Sequence, residues 1–150
     1  MGETYPAETI SSFSPVDLSD ETESRRLSAP GLKAFFRIAD AWHLTGPQSR
    51  QLLGGMSNGK YQDLKRRIEL GDTDVRPLGQ DCLQRISYFV GITKALRILH
   101  SPGLADSWMT RPNRNRMFGG DTPLAFALRG GIPALAEIRR LLDGRRGMNA

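Results

Sequence analysis

Apolar side chains recur with a helical period along most of the chain. Between residues 32 and 42 they follow the i, i+3, i+4, i+7 template of a helix with one buried face: Leu32, Phe35, Phe36, Ala39 and Trp42. A second stripe marks a shorter helix downstream: Tyr61, Leu64 and Ile68. No segment alternates apolar and polar residues convincingly over the length of a strand. The pattern therefore predicts an all-α fold.

Turn residues between these stripes predict where the helices begin and end. Residues 45–48, Thr-Gly-Pro-Gln, have the spacing of a capping box, and the glycine pair 54–55 ends the short helix that follows. Ser57 or Asn58 can cap the next helix, which Gly71 ends. Three helices within about forty residues, joined by tight glycine-containing turns, predict a helix-turn-helix unit.

The second half of the chain is also helical. Residues 83–99 are dense in apolar side chains and predict a long central helix, either continuous or divided near Gly91. A short helix follows from about residue 101 to 109, and two more are expected over residues 123–129 and 133–143.

Capping residues and glycines mark the ends of these last two helices. Asp121 or Thr122 can cap the helix that opens on Pro123, whose missing N–H costs nothing at the first helical position. Gly130 is expected to end that helix, and Gly144 the one after it.

These patterns divide the chain into four parts. Residues 1–30 are rich in Ser, Thr, Glu and Asp without a sustained apolar period, and predict a disordered acidic arm. Residues 31–100 form the helix-turn-helix and dimerisation domain, residues 101–144 a small C-terminal domain, and residues 145–150 a flexible tail. With no signal peptide and no apolar run long enough to span a membrane, we expect a soluble cytoplasmic protein without membrane contact.

The net charge of +5 on 150 residues is spread unevenly. Residues 1–31 carry six acids and two bases, whereas residues 32–71 and 113–150 each carry seven bases and three acids. A basic region can meet nucleic acid or an acidic protein surface, or it can simply be solvated.

The third predicted helix could place its polar face in a DNA groove. Six of its residues are candidate DNA contacts: Ser57, Asn58, Lys60, Gln62, Lys65 and Arg66. Lys and Arg would supply salt-dependent affinity for phosphates, and Gln62 could read a base edge. The alternative is that the run Lys65-Arg66-Arg67 is only a solvated helix face.

No set of residues suggests catalysis, a metal site or a cofactor. Cys82 is one thiol, expected to be a small buried residue, and the two imidazoles, His43 and His100, have no metal-ligand spacing. The paired glycines follow no strand and lack the Lys-Ser or Lys-Thr ending of a phosphate-binding loop. We therefore predict that the chain is not an enzyme.

The run from residue 108 to 131 resembles the C-terminal domain of the ParS/Xre/MbcA family of antitoxins. The family's typical residues stand here as Trp108, Pro112-Asn113, Phe118-Gly119-Gly120, Thr122-Pro123-Leu124 and Gly130-Gly131. Upstream, three segments are similar to the family's Xre-like domain: Trp42-His43-Leu44-Thr45, Leu52-Leu53-Gly54 and Arg85-Ile86. Within the family, the ParS branch is the most similar.

The resemblance implies an antitoxin that blocks the NAD pocket of a RES-domain toxin, an enzyme that degrades NAD or transfers ADP-ribose. It further implies a homodimer, a complex of two antitoxins with two toxins, and repression of the operon through operator DNA. Nine residues are candidate toxin contacts by position and chemistry: Asn113, Arg114, Arg116, Phe118, Arg139, Arg145, Arg146, Asn149 and Ala150. The alternative function is a free-standing helix-turn-helix transcriptional regulator.

Overall fold

Helices make up most of the part of the chain that the computed structural model describes, which is residues 17–149, with side chains described to Gly147. The helices are α1 (Glu21–Ala41), α2 (Gly46–Leu52), α3 (Asn58–Glu69), α4 (Gln80–Leu99), α5 (Pro102–Ser107) and α6 (Pro123–Asn149). Two short 3-10 helices, Trp108–Thr110 and Arg116–Phe118, lie between α5 and α6. No residue of the described part is in a strand, which confirms the all-α prediction.

Helix α1 begins at Glu21, inside the stretch predicted to be a disordered arm, so that prediction is wrong for residues 21–30. Asp20 caps the helix by accepting a 2.8 Å hydrogen bond from the Thr22 N–H. The buried positions before Leu32 keep the helical spacing: Ser24, Leu27, Ser28 and Gly31. Because most of them are serine or glycine, the apolar pattern does not show this extension. Residues 1–16 of the predicted arm lie outside the described part.

A buried serine fastens α1 to the loop that leads into α4. The Ser28 hydroxyl donates to the Ser24 carbonyl and accepts a hydrogen bond of 2.9 Å from the Leu78 N–H. Ser28 is fully buried, so the hydroxyl satisfies a backbone donor that water does not reach. This contact holds the first half of α1, residues 21–30, against the body of the protein.

The predicted caps and ends of α2 and α3 are confirmed. The capping box is complete, with the Gln48 N–H 3.2 Å from Thr45 Oγ1 and the Thr45 N–H 3.0 Å from Gln48 Oε1. Ser57 caps α3 by accepting from the Lys60 N–H, and Gly71 follows its end with φ of 84°. Helices α2 and α3 therefore follow each other through a tight turn, and that they act as a helix-turn-helix unit stays a prediction.

Helix α4 runs unbroken through Gly91 and forms the centre of the core, packed between α1 and α6. Its Phe89 ring lies 5.5 Å from the Phe35 ring and 6.0 Å from the Trp42 ring, centroid to centroid. All three side chains are almost fully buried. The aromatic cluster thus joins the C-terminal half of α1 to the middle of α4.

Helix α6 departs from the prediction in two places. It breaks at Gly131, with φ of 63° and ψ of −144°, so the predicted stop at Gly130 is one residue early. This backbone conformation is essentially confined to glycine. Upstream, Thr122 caps the helix by accepting a 3.0 Å hydrogen bond from the Ala125 N–H.

The second departure is that α6 continues through Gly144 to Asn149, so the predicted flexible tail is helical over residues 145–149. A glycine ends a helix where the chain turns left-handed, and Gly144 has helical backbone angles. Leu142 is fully buried, and Asp143 pairs with Arg139 and Arg146 on either side of it. Packing and ion pairs hold the helix across a residue that costs about 1 kcal/mol relative to alanine.

Candidate functional site

The loop of residues 112–120, which contains the second 3-10 helix and leads to α6, is held in shape by hydrogen bonds of its own asparagines. Asn113 Oδ1 accepts from the Asn115 N–H at 2.9 Å, and Asn115 Oδ1 accepts from the Met117 N–H at 3.0 Å. The Asn113 N–H donates to the Asp121 carbonyl at 3.1 Å and closes the loop at its base. Asn113, predicted as a partner contact, therefore also shapes the loop.

Phe118 anchors this loop from beneath. Its side chain is 2% exposed, and its ring meets those of Trp108 and Phe126 edge to face at 6.0 and 5.3 Å. The structure thus gives Phe118 a packing role beneath the loop, and that it also contacts a toxin stays a prediction. Gly119 and Gly120, with φ of 60° and 86°, then turn the chain back toward Asp121.

An open concavity of about 660 Å³ lies over the loop, lined by residues that include Asn113, Arg114 and Arg116. Both arginines are exposed, and neither forms an ion pair within residues 17–149. The structure thus brings three of the predicted contact residues to one surface, with two guanidinium groups available to a partner.

The remaining predicted contacts lie elsewhere on α6. Arg139 Nε pairs with Asp143 Oδ2 at 3.0 Å, and Arg146 pairs with the same carboxylate at 3.5 Å. Arg145 is half-buried, while Ala150 and the side chain of Asn149 are outside the described part. From Pro133, which lines a concavity together with Arg116, the helix rises about 9 Å to Arg139 and roughly 20 Å to Arg146, so Arg139 is the nearer of these cations to the loop.

Asp143 and Gly91 both affect how the Arg139 side chain is placed, and the sequence pattern indicated neither role. A Cβ atom at Gly91 would overlap the Arg139 guanidinium, so glycine allows that side chain to cross α4 in this position. The guanidinium of Arg85, six residues earlier on α4, lies 3.8 Å from the Cβ position of Gly131. The second half of α6 and helix α4 therefore run in the same direction.

Polar contacts join the helix-turn-helix unit to α6. Gln51 Nε2 on α2 donates a hydrogen bond of 2.7 Å to the Leu128 carbonyl, in the last turn before the break. Arg85, whose side chain is 18% exposed, pairs with Asp81 at 2.8 Å and lies beside both Gly54 and Gly131. The end of α2 and the break in α6 are thus fixed relative to each other.

The exposed face of α3 is less cationic than its sequence suggests. Arg66 and Arg67 both pair with Asp63, at 3.1 and 3.0 Å. The hydrogen bond from Arg67 is the main reason that the pKa of Asp63 is lowered, and the same bond raises the pKa of Arg67. Lys60 is exposed and Lys65 partly exposed, and neither forms an ion pair among the described residues.

The other candidate DNA contacts lie at the start of α3. Ser57 is the cap, Asn58 Oδ1 is 3.5 Å from Gln62 Nε2, and all three side chains are exposed. The structure places them on one end of the helix, where free N–H groups also favour an anion. Whether they contact DNA stays a prediction.

Other chemical features are few in the described part. Burial is the main reason that the pKa of Cys82 is raised, to about 11, so the thiol is protonated at neutral pH. Between residues 17 and 149 no three His, Cys, Asp or Glu side chains cluster closely enough to hold a metal ion. Over the same residues no helix has the length and hydropathy to cross a membrane.

Comparison with known proteins identifies the C-terminal domain. Residues 94–147 match the model of the antitoxin Xre/MbcA/ParS C-terminal toxin-binding domain. The C-terminal domain belongs to this antitoxin family. It is also 36% identical, over 130 residues, to the uncharacterized protein y4oB of Sinorhizobium fredii, an alignment that covers 86% of this chain and 93% of y4oB. No solved structure matches the antitoxin.

The matched domain spans the last turns of α4, the short helices, the loop and nearly all of α6. Every described residue that was predicted to contact a toxin lies within it, except Asn149 at the end of α6. The antitoxin thus has a toxin partner, and its toxin-binding domain shares α4 with the rest of the core.

Proposed function

We propose that this antitoxin binds a RES-domain toxin and blocks the toxin's NAD pocket, as in the ParS branch of the family. The observation that carries the proposal is the coincidence of the family domain with a rigid loop that presents Arg114 and Arg116. A loop held by internal hydrogen bonds loses little conformational freedom on binding, so it suits an inhibitor surface. The antitoxin acts in the cytoplasm, without a cofactor and without catalysis of its own.

The end of α6 is the second part of the proposed inhibitor surface. A pocket that binds the pyrophosphate of NAD is narrow and must handle charge, and Arg145 and Arg146 could pair with acidic groups at its mouth. Asn149 and Ala150 would enter deepest, where the amide could hydrogen-bond the pocket wall. Because the chain is helical to Asn149, this segment would enter as a preformed helix end.

We further propose that the antitoxin forms a homodimer, assembles with two toxins and represses its own operon. The support is the capped helix-turn-helix unit, whose α3 presents Lys60, Gln62 and Lys65 to solvent. Since Asp63 pairs with Arg66 and Arg67, each unit carries few free cations and binds DNA weakly alone. A dimer would gain affinity by contacting two half-sites.

The test is NAD turnover by the product of the gene next to this chain's gene, which we propose to be the RES-domain toxin, with and without the antitoxin, followed by light scattering of the mixture. We expect inhibition at a stoichiometry of one to one and a particle of two antitoxins and two toxins. Normal turnover and no complex would instead favour the free-standing regulator, for which operator binding by the antitoxin alone would be the main activity.

A truncation tests the role of the helix end. Deleting residues 145–150 leaves the fully buried Leu142 and the loop in place, so the fold should survive. We expect toxin binding to remain and inhibition of NAD turnover to weaken. Equal inhibition by the truncated antitoxin would show that the helix end does not enter the pocket.

A further inference from the structure

We propose that a trough across the toxin-binding domain holds an acidic, extended segment of the toxin, with an apolar side chain at each end. The proposal rests on the proposed function and specifies its partner. The trough extends from Leu104 and Trp108, past Arg114 and Arg116, to Phe126 and Pro133.

Three adjoining concavities make up the trough. The one over the loop shares Pro112 and Asn113 with a smaller concavity of about 200 Å³ beside Leu104 and Trp108. It shares Arg116 and Gly119 with a third, of about 510 Å³, beside Phe126 and Pro133. Shared lining residues place the three in a row, which suits an extended chain better than a compact ligand.

The centre of the trough is cationic. Arg111, Arg114 and Arg116 are exposed there, and none of them has a carboxylate within ion-pair distance among residues 17–149. The nearby Asp121 is occupied, since it lies 3.4 Å from Arg129. Three uncompensated guanidinium groups along one loop would pair well with carboxylates, which arginine can bind through two hydrogen bonds.

Each end of the trough offers apolar side chains beside its charged ones. Leu104 is 47% exposed, one of the few large apolar side chains in the described part that are turned to solvent, and the half-buried Trp108 lies beside it. At the other end, the half-buried side chains of Met117 and Phe126 line the wall next to Pro133. Aromatic and methionine side chains such as these are enriched in protein interfaces.

This arrangement favours a protein segment over nucleic acid. A nucleic acid backbone would require unpaired cations along the whole length of the trough, whereas Arg129 in the third concavity is paired with Asp121 and Glu137 places a carboxylate there. A peptide that carries acidic residues in its middle and apolar residues at its ends complements both the charge and the shape.

The experiment measures binding of the full-length antitoxin to the neighbouring RES-domain protein by calorimetry, at low and high salt. The trough variants are Arg114→Glu with Arg116→Glu, and separately Leu104→Gln. The matched controls make the same changes far from the trough: Lys33→Glu with Arg37→Glu on α1, and Leu70→Gln, whose side chain is 79% exposed. All six side chains are exposed, so each variant should fold.

We expect the paired charge reversal to weaken toxin binding at least thirtyfold at low salt and less at high salt, and Leu104→Gln to weaken it about fivefold at both. The controls should bind as the unchanged antitoxin does.

If the unchanged antitoxin binds the toxin and both trough variants bind equally well, the trough is not the site, although the proposed function stands. If the charge reversal leaves toxin binding intact but abolishes binding to duplex DNA, the trough is a nucleic-acid surface. If the unchanged antitoxin binds no toxin, the proposed function fails first.

Discussion

Phe118 gives the sharpest test of how the toxin-binding loop is held. The ring is 2% exposed and lies between Trp108 and Phe126, so replacing it by alanine opens a cavity under the loop. Phenylalanine-to-alanine changes in cores cost about 3–5 kcal/mol. The site lies under a surface loop that can partly collapse into the gap, so we expect about 3 kcal/mol for Phe118→Ala.

The assay is urea unfolding followed by circular dichroism, with toxin affinity measured in parallel. For a chain of this size a loss of 3 kcal/mol lowers the melting temperature by about 10 °C. The conservative variant Phe118→Leu should lose only about 1.5 kcal/mol and keep toxin affinity within about threefold, because the side chain shapes the loop without touching the partner. The reasoning is refuted if Phe118→Leu is nearly as stable as the unchanged protein and yet binds toxin far more weakly, since the ring would then be a direct contact.

Three further predictions follow from single side chains. Ser28→Ala leaves the Leu78 N–H buried without an acceptor and should cost about 1–3 kcal/mol in urea unfolding; an unchanged midpoint would contradict that bond. Arg66→Ala should lower operator affinity slightly and reduce the slope of log affinity against log salt concentration by less than one counterion, because Asp63 already pairs with the guanidinium. An unchanged DNA-binding isotherm would exclude the exposed face of α3 as the DNA contact. Cys82, with its pKa raised to about 11, should be alkylated by iodoacetamide at pH 8 about a hundredfold more slowly in the folded protein than in urea; equal rates would show an exposed thiolate.

Local signals in the sequence predicted much of the fold. The capping box at Thr45, the cap at Ser57 and the turn at Gly71 depend on neighbouring residues alone, so the pattern was sufficient to place α2 and α3. The long apolar run likewise predicted α4 as the central helix. Its low amphipathicity follows from its position between α1 and α6, where it is packed on more than one side.

The errors came from features that depend on tertiary contacts. Ser28 looks polar in sequence, yet it faces the core because its hydroxyl has both a carbonyl acceptor and the Leu78 N–H as a donor. Gly144 looks like a helix stop, yet Asp143 and the buried Leu142 carry α6 past it. No local pattern could have shown that Gly131, rather than Gly130, takes the conformation needed at the break.

The candidate site was predicted in part. Position within the family motif led to Arg114 and Arg116, which are exposed and line one concavity, and their contact with a toxin stays a prediction. The same motif led to Phe118, and the structure adds a packing role beneath the loop that the motif did not indicate. The role of Asp143, which holds Arg139 and Arg146, appears only when the helix is seen to continue.

Hydrogen–deuterium exchange of the full-length antitoxin, alone and with the proposed toxin encoded by the neighbouring gene, tests the central claim most directly. The account predicts that the toxin slows exchange of backbone amides in the loop over residues 112–120 and in the second half of α6, while α3 exchanges as before. Protection confined to α2 and α3, or no protection anywhere, would contradict the claim that the C-terminal domain binds this toxin.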